Sequence, residues 1–143
     1  MKHKKLIITL ASVGGALIIL ASILLGFYCP RKLGFYFNVK ADKIDSVYVV
    51  SHELETDSET TVYLDKDKTK EFIKALKKVK VKPVYGGVLK VKATQHYFIT
   101  CGDTEYKIDA YWFKKYENDK EIKSRHYNGD HEAMKKLLKY FDM

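Results

Sequence analysis

The chain has 143 residues and a formal net charge of +8, and 24 of its 26 basic side chains are lysines. This length allows one domain with one small core. Residues 6–28 contain no charged side chain, whereas all 18 acidic and 23 of the 26 basic residues follow Cys29. The chain therefore divides into an uncharged N-terminal segment and a charged domain.

A membrane-spanning helix is predicted at residues 6–28, after a basic tail at residues 1–5. At ~1.5 Å per residue this segment reaches ~34 Å, enough to cross a hydrocarbon core of ~30 Å. A cleavable signal peptide has a shorter apolar region and ends in small residues, and a lipoprotein signal also has small residues before its cysteine. Because the bulky Phe27 and Tyr28 precede Cys29, the sequence favours a retained anchor over either processed form.

The residues at the end of the predicted span are typical of a membrane–water interface. Phe27 and Tyr28 are predicted as an interfacial aromatic pair, and Arg31 and Lys32 as contacts of the lipid headgroups. A short basic tail before the span is the usual layout of a signal anchor, which places the C-terminal domain outside the cytoplasm. Lysines on both sides of the span leave the opposite orientation open. We expect a single-pass protein of the cell membrane with an extracytoplasmic domain.

Small side chains follow one side of the predicted span. At 100° per residue they share one stripe, and small residues at this spacing allow two helices to pack closely. Such spacings are also common by chance in membrane helices. The stripe predicts a homodimer or a partner helix, and it consists of Ala11, Gly15, Ser22 and Gly26.

A connector at residues 29–42 is predicted to join the span to a domain at residues 43–143. Pro30 and Gly34 prevent a continuous helix, and the apolar content of the segment indicates that it lies along the headgroups or docks on the domain. A segment that dips into the membrane is the alternative. Residues 43–52 and 60–64 then read as two strands around a polar loop. Residues 65–79 have helical period and a start that Asp65 or Asp67 could cap. The apolar stripe of this helix is Phe72, Ile73, Leu76 and Val79.

The second half of the domain is predicted as four strands and a helix. Alternation around residues 79–82 indicates a strand that Pro83 and Gly86-Gly87 interrupt, so it is an edge or bulged strand. Residues 93–101 and 104–113 flank a Gly102-Asp103 hairpin turn, and residues 121–127 form the last strand. A stop at residues 128–130, with Asp130 as the cap, begins a helix over 131–143. Its core stripe is Met134, Leu137, Leu138 and Phe141.

The predicted order is therefore ββ-α-ββββ-α. Hairpin connections imply an α+β fold in which a small antiparallel sheet packs with two helices. Three pieces of this layout, "YLDKDKTKEFIKALKKVK", "YFITCGDTEYKIDAYWF" and "HYNGDHEAMKKLL", resemble small anchored or secreted domains of unknown function in low-GC Gram-positive bacteria. The resemblance covers the chain from Ile44 to its end and consists of fold patterns. It implies an accessory domain and supplies no catalytic residue.

The clearest functional feature of the domain is its charge. Between Lys66 and Lys92 there are ten lysines and two acidic residues. Some of these lysines lie opposite the apolar stripe of the helix, and others alternate with valines along the next strand. This pattern predicts a surface for anionic lipid headgroups or an anionic wall polymer, and the alternative is an ordinary solvated face. The predicted set is Lys70, Lys74, Lys77, Lys78, Lys80 and Lys82, with Lys90 and Lys92 as an extension of it.

Metal binding and nucleic-acid recognition are not indicated. His126 and His131 lie close to Asp130 and Glu132, but His-x4-His is not a standard zinc spacing, and the acidic residues suit the start of a helix. The basic stretch between Lys66 and Lys92 has no arginine and no recognition motif. We therefore expect no metal, no cofactor and no nucleic-acid partner.

Catalysis is not indicated either. Cys101 could only be combined with His52 or His96, and His96 and Cys101 would point to opposite faces of a straight strand. No nucleophile motif is present, and with two cysteines two free thiols are favoured over a Cys29–Cys101 bridge. The aromatic side chains are interpreted as core residues rather than a ligand-binding face, in particular Tyr97, Tyr106, Tyr111 and Trp112.

The sequence thus predicts a membrane-anchored, non-catalytic binding or accessory domain at the boundary between membrane and cell wall. One alternative is a membrane protein of the immunity type, which binds a protein partner through its tyrosine-rich sheet. A small membrane-bound hydrolase with an unrecognised site is the other alternative.

Overall fold

The chain forms a long apolar helix followed by an antiparallel sheet that packs against short helices. The computed structural model describes residues 2–53, 55–84 and 93–143. Helix α1 spans Lys2–Tyr28. Its segment Ala11–Tyr28 is long and apolar enough to cross a membrane, and none of it is buried against the rest of the chain. Within the described ranges, α1 is the one helix with this length and composition.

The strands of the described residues form one eight-stranded sheet. Its order is β1-β4-β8-β7-β6-β5-β2-β3, and every neighbouring pair is antiparallel. The predicted α+β fold with an antiparallel sheet is confirmed. In chain order the strands are β1 (Arg31–Lys32), β2 (Ser46–Glu53), β3 (Ser58–Tyr63), β4 (Lys80–Pro83), β5 (Gln95–Cys101), β6 (Thr104–Ile108), β7 (Trp112–Glu117) and β8 (Lys120–Gly129).

The helices cover one face of the sheet. Helix α2 spans Thr69–Lys78, and α3 spans His131–Lys135 and continues as a 3₁₀ helix over Lys136–Phe141. The ring centroid of Phe72 in α2 lies 5.6 Å from that of Tyr97 in β5, and the Tyr97 hydroxyl donates to the Met134 carbonyl at 2.7 Å. The predicted stripe of α2 is buried, and in the C-terminal stripe Leu138 is half-buried while Met134, Leu137 and Phe141 are buried.

Local capping follows the sequence prediction at α3 but not at α2. Asp130 Oδ1 accepts a hydrogen bond from the Ala133 N–H at 2.9 Å, as expected for a helix cap. Neither Asp65 nor Asp67 caps α2, because a 3₁₀ turn at Lys66–Lys68 comes first. The N-cap residue of α2 is Lys68, whose side chain makes no capping bond.

The predicted strand over residues 104–113 is two strands in the structure. A turn at Asp109–Tyr111 separates β6 from β7. Asp109 Oδ1 accepts hydrogen bonds from the N–H groups of Tyr111 and Trp112 at 2.7 and 2.8 Å. An aspartate that binds the backbone two and three residues ahead stabilises a turn in competition with a strand. The single-strand prediction was therefore wrong at Asp109.

The connector after α1 is part of the folded domain. Arg31 and Lys32 pair with Val81 and Lys80, and the Leu33 N–H donates to the Val79 carbonyl at 2.8 Å. Leu33 and Phe37 are 0% exposed and belong to the core. The folded domain thus begins at β1, well before the predicted boundary at residue 43. Because the core contains no described residue of α1, we expect residues 30–143 to fold without the helix.

Replacement of Phe37 by alanine tests whether the connector is part of the core. The Phe37 ring centroid lies 5.0 Å from that of Tyr106, so Phe37→Ala leaves a cavity and should lower the free energy of unfolding by about 3–5 kcal/mol. The matched control is Phe35→Ala, which removes a ring that is 67% exposed and should cost less than about 1 kcal/mol. Urea denaturation of residues 30–143 measures both, and equal losses would contradict a docked connector.

Candidate polyanion-binding edge

The sheet edge nearest α1 carries exposed lysines. In β4, Val81 and Pro83 are buried while Lys80 and Lys82 are exposed. The lysines therefore occupy the face of the sheet away from the helices, which we call the open face. Lys32 of β1 is directly opposite Lys80 in the β1–β4 register. Directly opposed residues share one face of a sheet, with Cβ atoms about 4.5–5.5 Å apart. Lys32 therefore lies beside Lys80 on the open face.

Two more basic residues lie next to this pair. Lys78 is the exposed last residue of α2, and Val79 alone separates it from β4. Arg31 of β1 donates a hydrogen bond from Nη2 to the Gly26 carbonyl in the last turn of α1. A basic side chain is favourable there because the last helix carbonyls have no partner within the helix. We call this group the β1-edge cluster: Arg31, Lys32, Lys78, Lys80 and Lys82.

Among the described residues, no carboxylate forms an ion pair with the β1-edge cluster. The lysine ion pairs among the described residues involve Lys68, Lys114 and Lys115 and no member of the cluster. Asp130 is joined to Lys80 through the backbone, since its N–H donates to the Lys80 carbonyl at 3.2 Å. Its carboxylate, however, is directed at the start of α3. The cluster is thus a concentration of positive charge at one sheet edge.

Lys77 has a different environment from the other predicted lysines. Its Nζ donates to the Val39 carbonyl at 2.6 Å and lies 5.8 Å from the centroid of the Phe37 ring. A Cβ atom at Gly34 would come within 3.1 Å of the Lys77 carbonyl oxygen and Cβ, so the connector approaches α2 as closely as a glycine allows. Lys77 therefore fixes the connector to α2, and we leave it out of the cluster.

The other lysines of the predicted set divide into two groups. Lys78, Lys80 and Lys82 belong to the β1-edge cluster, whereas Lys70 and Lys74 are exposed on α2 nearer its N-terminus. At ~1.5 Å per residue, Lys70 is about 12 Å along the helix from Lys78. Lys90 and Lys92 lie outside the described residues, as does Gly86-Gly87. Sequence reasoning missed the pairing of Lys32 with Lys80, for which a two-residue strand gives no periodic signal.

The predicted interfacial and helix-packing residues are all exposed or half-buried on α1 and β1. Phe27 and Tyr28 are 49% and 61% exposed at the end of α1. The small-residue stripe of Ala11, Gly15, Ser22 and Gly26 is exposed along its length. Two of its members bond within the chain: the Ser22 hydroxyl donates to the Ile18 carbonyl at 2.8 Å, and Gly26 accepts from Arg31.

The residues considered for catalysis are held apart. His96 Nδ1 lies 3.0 Å from Asp109 Oδ2 on the open face of β5, while Cys101 points to the helix-covered side of the same sheet. Burial, together with the charge of Asp45, raises the pKa of the Cys101 thiol, which disfavours the reactive thiolate. Cys29 and Cys101 are both free thiols. Among the described residues, no group of three or more His, Cys, Asp or Glu is placed to hold a metal ion.

Most of the aromatic residues considered as a ligand face are internal. Tyr97 and Tyr111 are buried, Tyr106 packs against Phe37, and Trp112 alone is on the open face, in ring contact with His126. The core interpretation is therefore confirmed for the three tyrosines.

A second aromatic row, which sequence reasoning missed, crosses the open face. The ring centroids of Tyr48 and Phe98 are 4.7 Å apart and parallel, and Tyr63 lies 5.2 Å from Tyr48. The Tyr48 hydroxyl donates to Glu105 at 3.3 Å, and burial together with this carboxylate raises the pKa of Tyr48 to about 12. Lys107 Nζ lies 5.4 Å from the Phe98 ring. Tyr48 and Phe98 are thus stacked on each other, while Tyr63 at the end of the row is tilted against Tyr48 and 64% exposed.

Comparison with known proteins finds no matching family model, no similar curated sequence and no similar solved structure. The case for a function therefore comes from the geometry and charge of this chain.

The half-buried position of Lys77 distinguishes it from the exposed lysines of α2, and this difference can be tested. Lys77→Ala removes a hydrogen bond from a charged donor to the connector and should lower the free energy of unfolding by about 1–3 kcal/mol. Lys74→Ala, a matched exposed lysine of the same helix, should change it by less than about 0.5 kcal/mol. Chemical denaturation monitored by circular dichroism measures both. An unchanged free energy of unfolding for Lys77→Ala would mean that Lys77 does not hold the connector and is an exposed lysine like Lys74.

Proposed function

We propose that this chain is a single-pass membrane protein whose non-catalytic extracytoplasmic domain binds anionic lipid headgroups through the β1-edge cluster. The observation that carries the proposal is the position of β1. Only Cys29 and Pro30 separate the end of α1 from β1, and Lys32 pairs there with Lys80. The cluster is therefore tied to the end of the apolar helix rather than distributed over the domain.

Distance supports a headgroup contact. An extended chain covers at most ~3.6 Å per residue, so Lys32 lies within about 14 Å of Tyr28. The polar layer on each side of a hydrocarbon core is roughly 5–8 Å thick, and the Debye length is about 8 Å at physiological salt. If Tyr28 marks the edge of the hydrocarbon core, the cluster lies within range of the surface charge.

The magnitude of the interaction indicates what the cluster does. Each Lys or Arg near an anionic membrane surface contributes about 1 kcal/mol, so five residues contribute up to about 5 kcal/mol. The helix already attaches the protein to the membrane, so attachment does not need this energy. Its effect is to favour one orientation of the domain, with the β1 edge toward the membrane, as suits an accessory domain held at the membrane surface.

Binding to anionic vesicles tests the proposal. Residues 30–143 should bind phosphatidylglycerol-containing vesicles, and their affinity should fall as salt is raised. They should not bind phosphatidylcholine vesicles. The substitutions K32E, K80E and K82E together should weaken binding at least about tenfold, since ~1 kcal/mol is expected from each lysine. Vesicle co-sedimentation gives the affinities.

The control is the triple variant K66E, K70E and K74E, which has the same charge change in and beside α2. It should bind nearly as well as the unmodified domain. An equal loss in both variants would mean that total charge, not the β1 edge, decides binding. Absence of binding by the unmodified domain would contradict the lipid proposal, and binding to soluble teichoic acid in its place would assign the charge to a wall polymer.

Protease treatment of intact cells tests the orientation. With a C-terminal epitope tag on the chain in a Gram-positive host, external protease should remove the tag, and a cytoplasmic marker should remain intact. Protection of the tag would reverse the proposed orientation.

Intact mass spectrometry of the membrane fraction tests whether the anchor is retained, and it should give an N-terminus that still contains α1, because Phe27 and Tyr28 disfavour cleavage. A shortened chain would contradict the retained anchor.

A further inference from the structure

Phe35 is the most exposed of the large apolar side chains that the structure describes outside α1. It is 67% exposed, whereas Leu33 and Phe37 on either side of it are fully buried. Single exposed apolar residues are normal on protein surfaces and need no explanation by themselves. The position of Phe35 is informative because its turn follows β1 directly, and β1 adjoins the end of a helix able to cross a membrane.

The turn that carries Phe35 is held in place on both sides. It is a 3₁₀ turn over Leu33–Phe35, in which the Leu33 carbonyl accepts from the Tyr36 and Phe37 N–H groups at 2.9 and 3.1 Å. Gly34 lies against Lys77 of α2. For the Phe35 ring to reach the core, the turn would have to leave α2 and expose Leu33 and Phe37. The exposed position of Phe35 is therefore a property of the fold.

Arg31 gives this exposed ring an amphipathic character. The guanidinium carbon of Arg31 lies 4.7 Å from the Phe35 ring centroid, and its Nη2 donates to Gly26 at the end of α1. A cation stacked on an aromatic ring places a charged group and an apolar surface side by side. Aromatic and basic side chains are combined in this way at membrane interfaces, where the ring enters the headgroup layer and the charge remains in it.

We propose that Phe35 inserts into the interfacial layer of the bilayer that α1 spans, beside Phe27 and Tyr28. This inference rests on the proposed retention of α1 in the membrane. The domain then stands on its β1 edge, and the sheet rises from the surface strand by strand. At ~4.8 Å per strand, Trp112 in β7 lies about 14 Å from β1 and Tyr63 in β3 about 34 Å from it.

Tryptophan fluorescence in vesicles tests the insertion, because Trp112 is the single tryptophan of the chain. The full chain is reconstituted into phosphatidylcholine vesicles with brominated acyl chains, as the unmodified protein and as the double variants F35W/W112F and Y63W/W112F. Interfacial side chains reach about 5–10 Å into the headgroup and acyl boundary, so the tryptophan at position 35 should be quenched at least about threefold more than Trp112. The tryptophan at position 63, an equally exposed site, should not be quenched.

Two results would overturn the proposal. Equal quenching at positions 35 and 63 would mean that position 35 has no special contact with the bilayer. Stronger quenching of Trp112 than of position 35 would mean that the open face of the sheet lies on the membrane. As a second measurement, iodide should quench position 35 in residues 30–143 but not in the reconstituted full chain, and equal iodide quenching in both forms would also contradict insertion.

The experiment separates this inference from the lipid-charge proposal. Phosphatidylcholine vesicles have no net charge, so quenching at position 35 does not depend on the lysines of the cluster. Quenching at position 35 without binding to anionic vesicles would contradict the lysine contact and support the insertion. Binding to anionic vesicles without quenching at position 35 would contradict the insertion and support the lysine contact.

Discussion

The burial of Leu33 and Phe37 is the interaction on which the position of the whole domain depends. Both side chains are fully buried, and full burial of such residues contributes about 1.5–3 kcal/mol each. Their burial draws the connector onto α2 and brings Arg31 and Lys32 into the sheet as β1. Because two residues remain between α1 and β1, the sheet has little freedom to move away from the end of the helix. A flexible tether would not have fixed any surface of the domain relative to that end.

The same docking redistributes the charge of the domain. In the docked connector, the Val39 carbonyl accepts a half-buried hydrogen bond from Lys77, and Lys32 lies opposite Lys80 in the sheet. Basic side chains that are distant in the sequence, at residues 31–32 and 78–82, thereby meet at one edge. The lysines that remain on the outer face of α2, such as Lys70, are exposed and lie away from this edge.

Local chemistry accounts for what the sequence predicted well. The buried stripe of α2, the Gly102-Asp103 hairpin and the Asp130 cap each depend on residues within a few positions of one another. The pairing of β1 with β4 joins residues about fifty positions apart, and two residues cannot show a period of two. The Asp109 turn had a visible signal, an aspartate within an apolar strand, but its side-chain bonds to the backbone could not be distinguished from a solvent-facing position.

In the proposed arrangement, Arg31 and Phe35 combine two kinds of membrane contact in one short segment. The energy of the lysines and Arg31 at a charged surface is electrostatic, so it falls with salt and disappears on a neutral bilayer. The energy of an inserted ring comes from removal of apolar surface from water, so it depends little on either. Because the Arg31 guanidinium lies on the Phe35 ring, the electrostatic contact and the inserted ring favour the same orientation of the domain on the membrane. Loss of surface charge would then loosen the β1 edge without changing which edge faces the membrane.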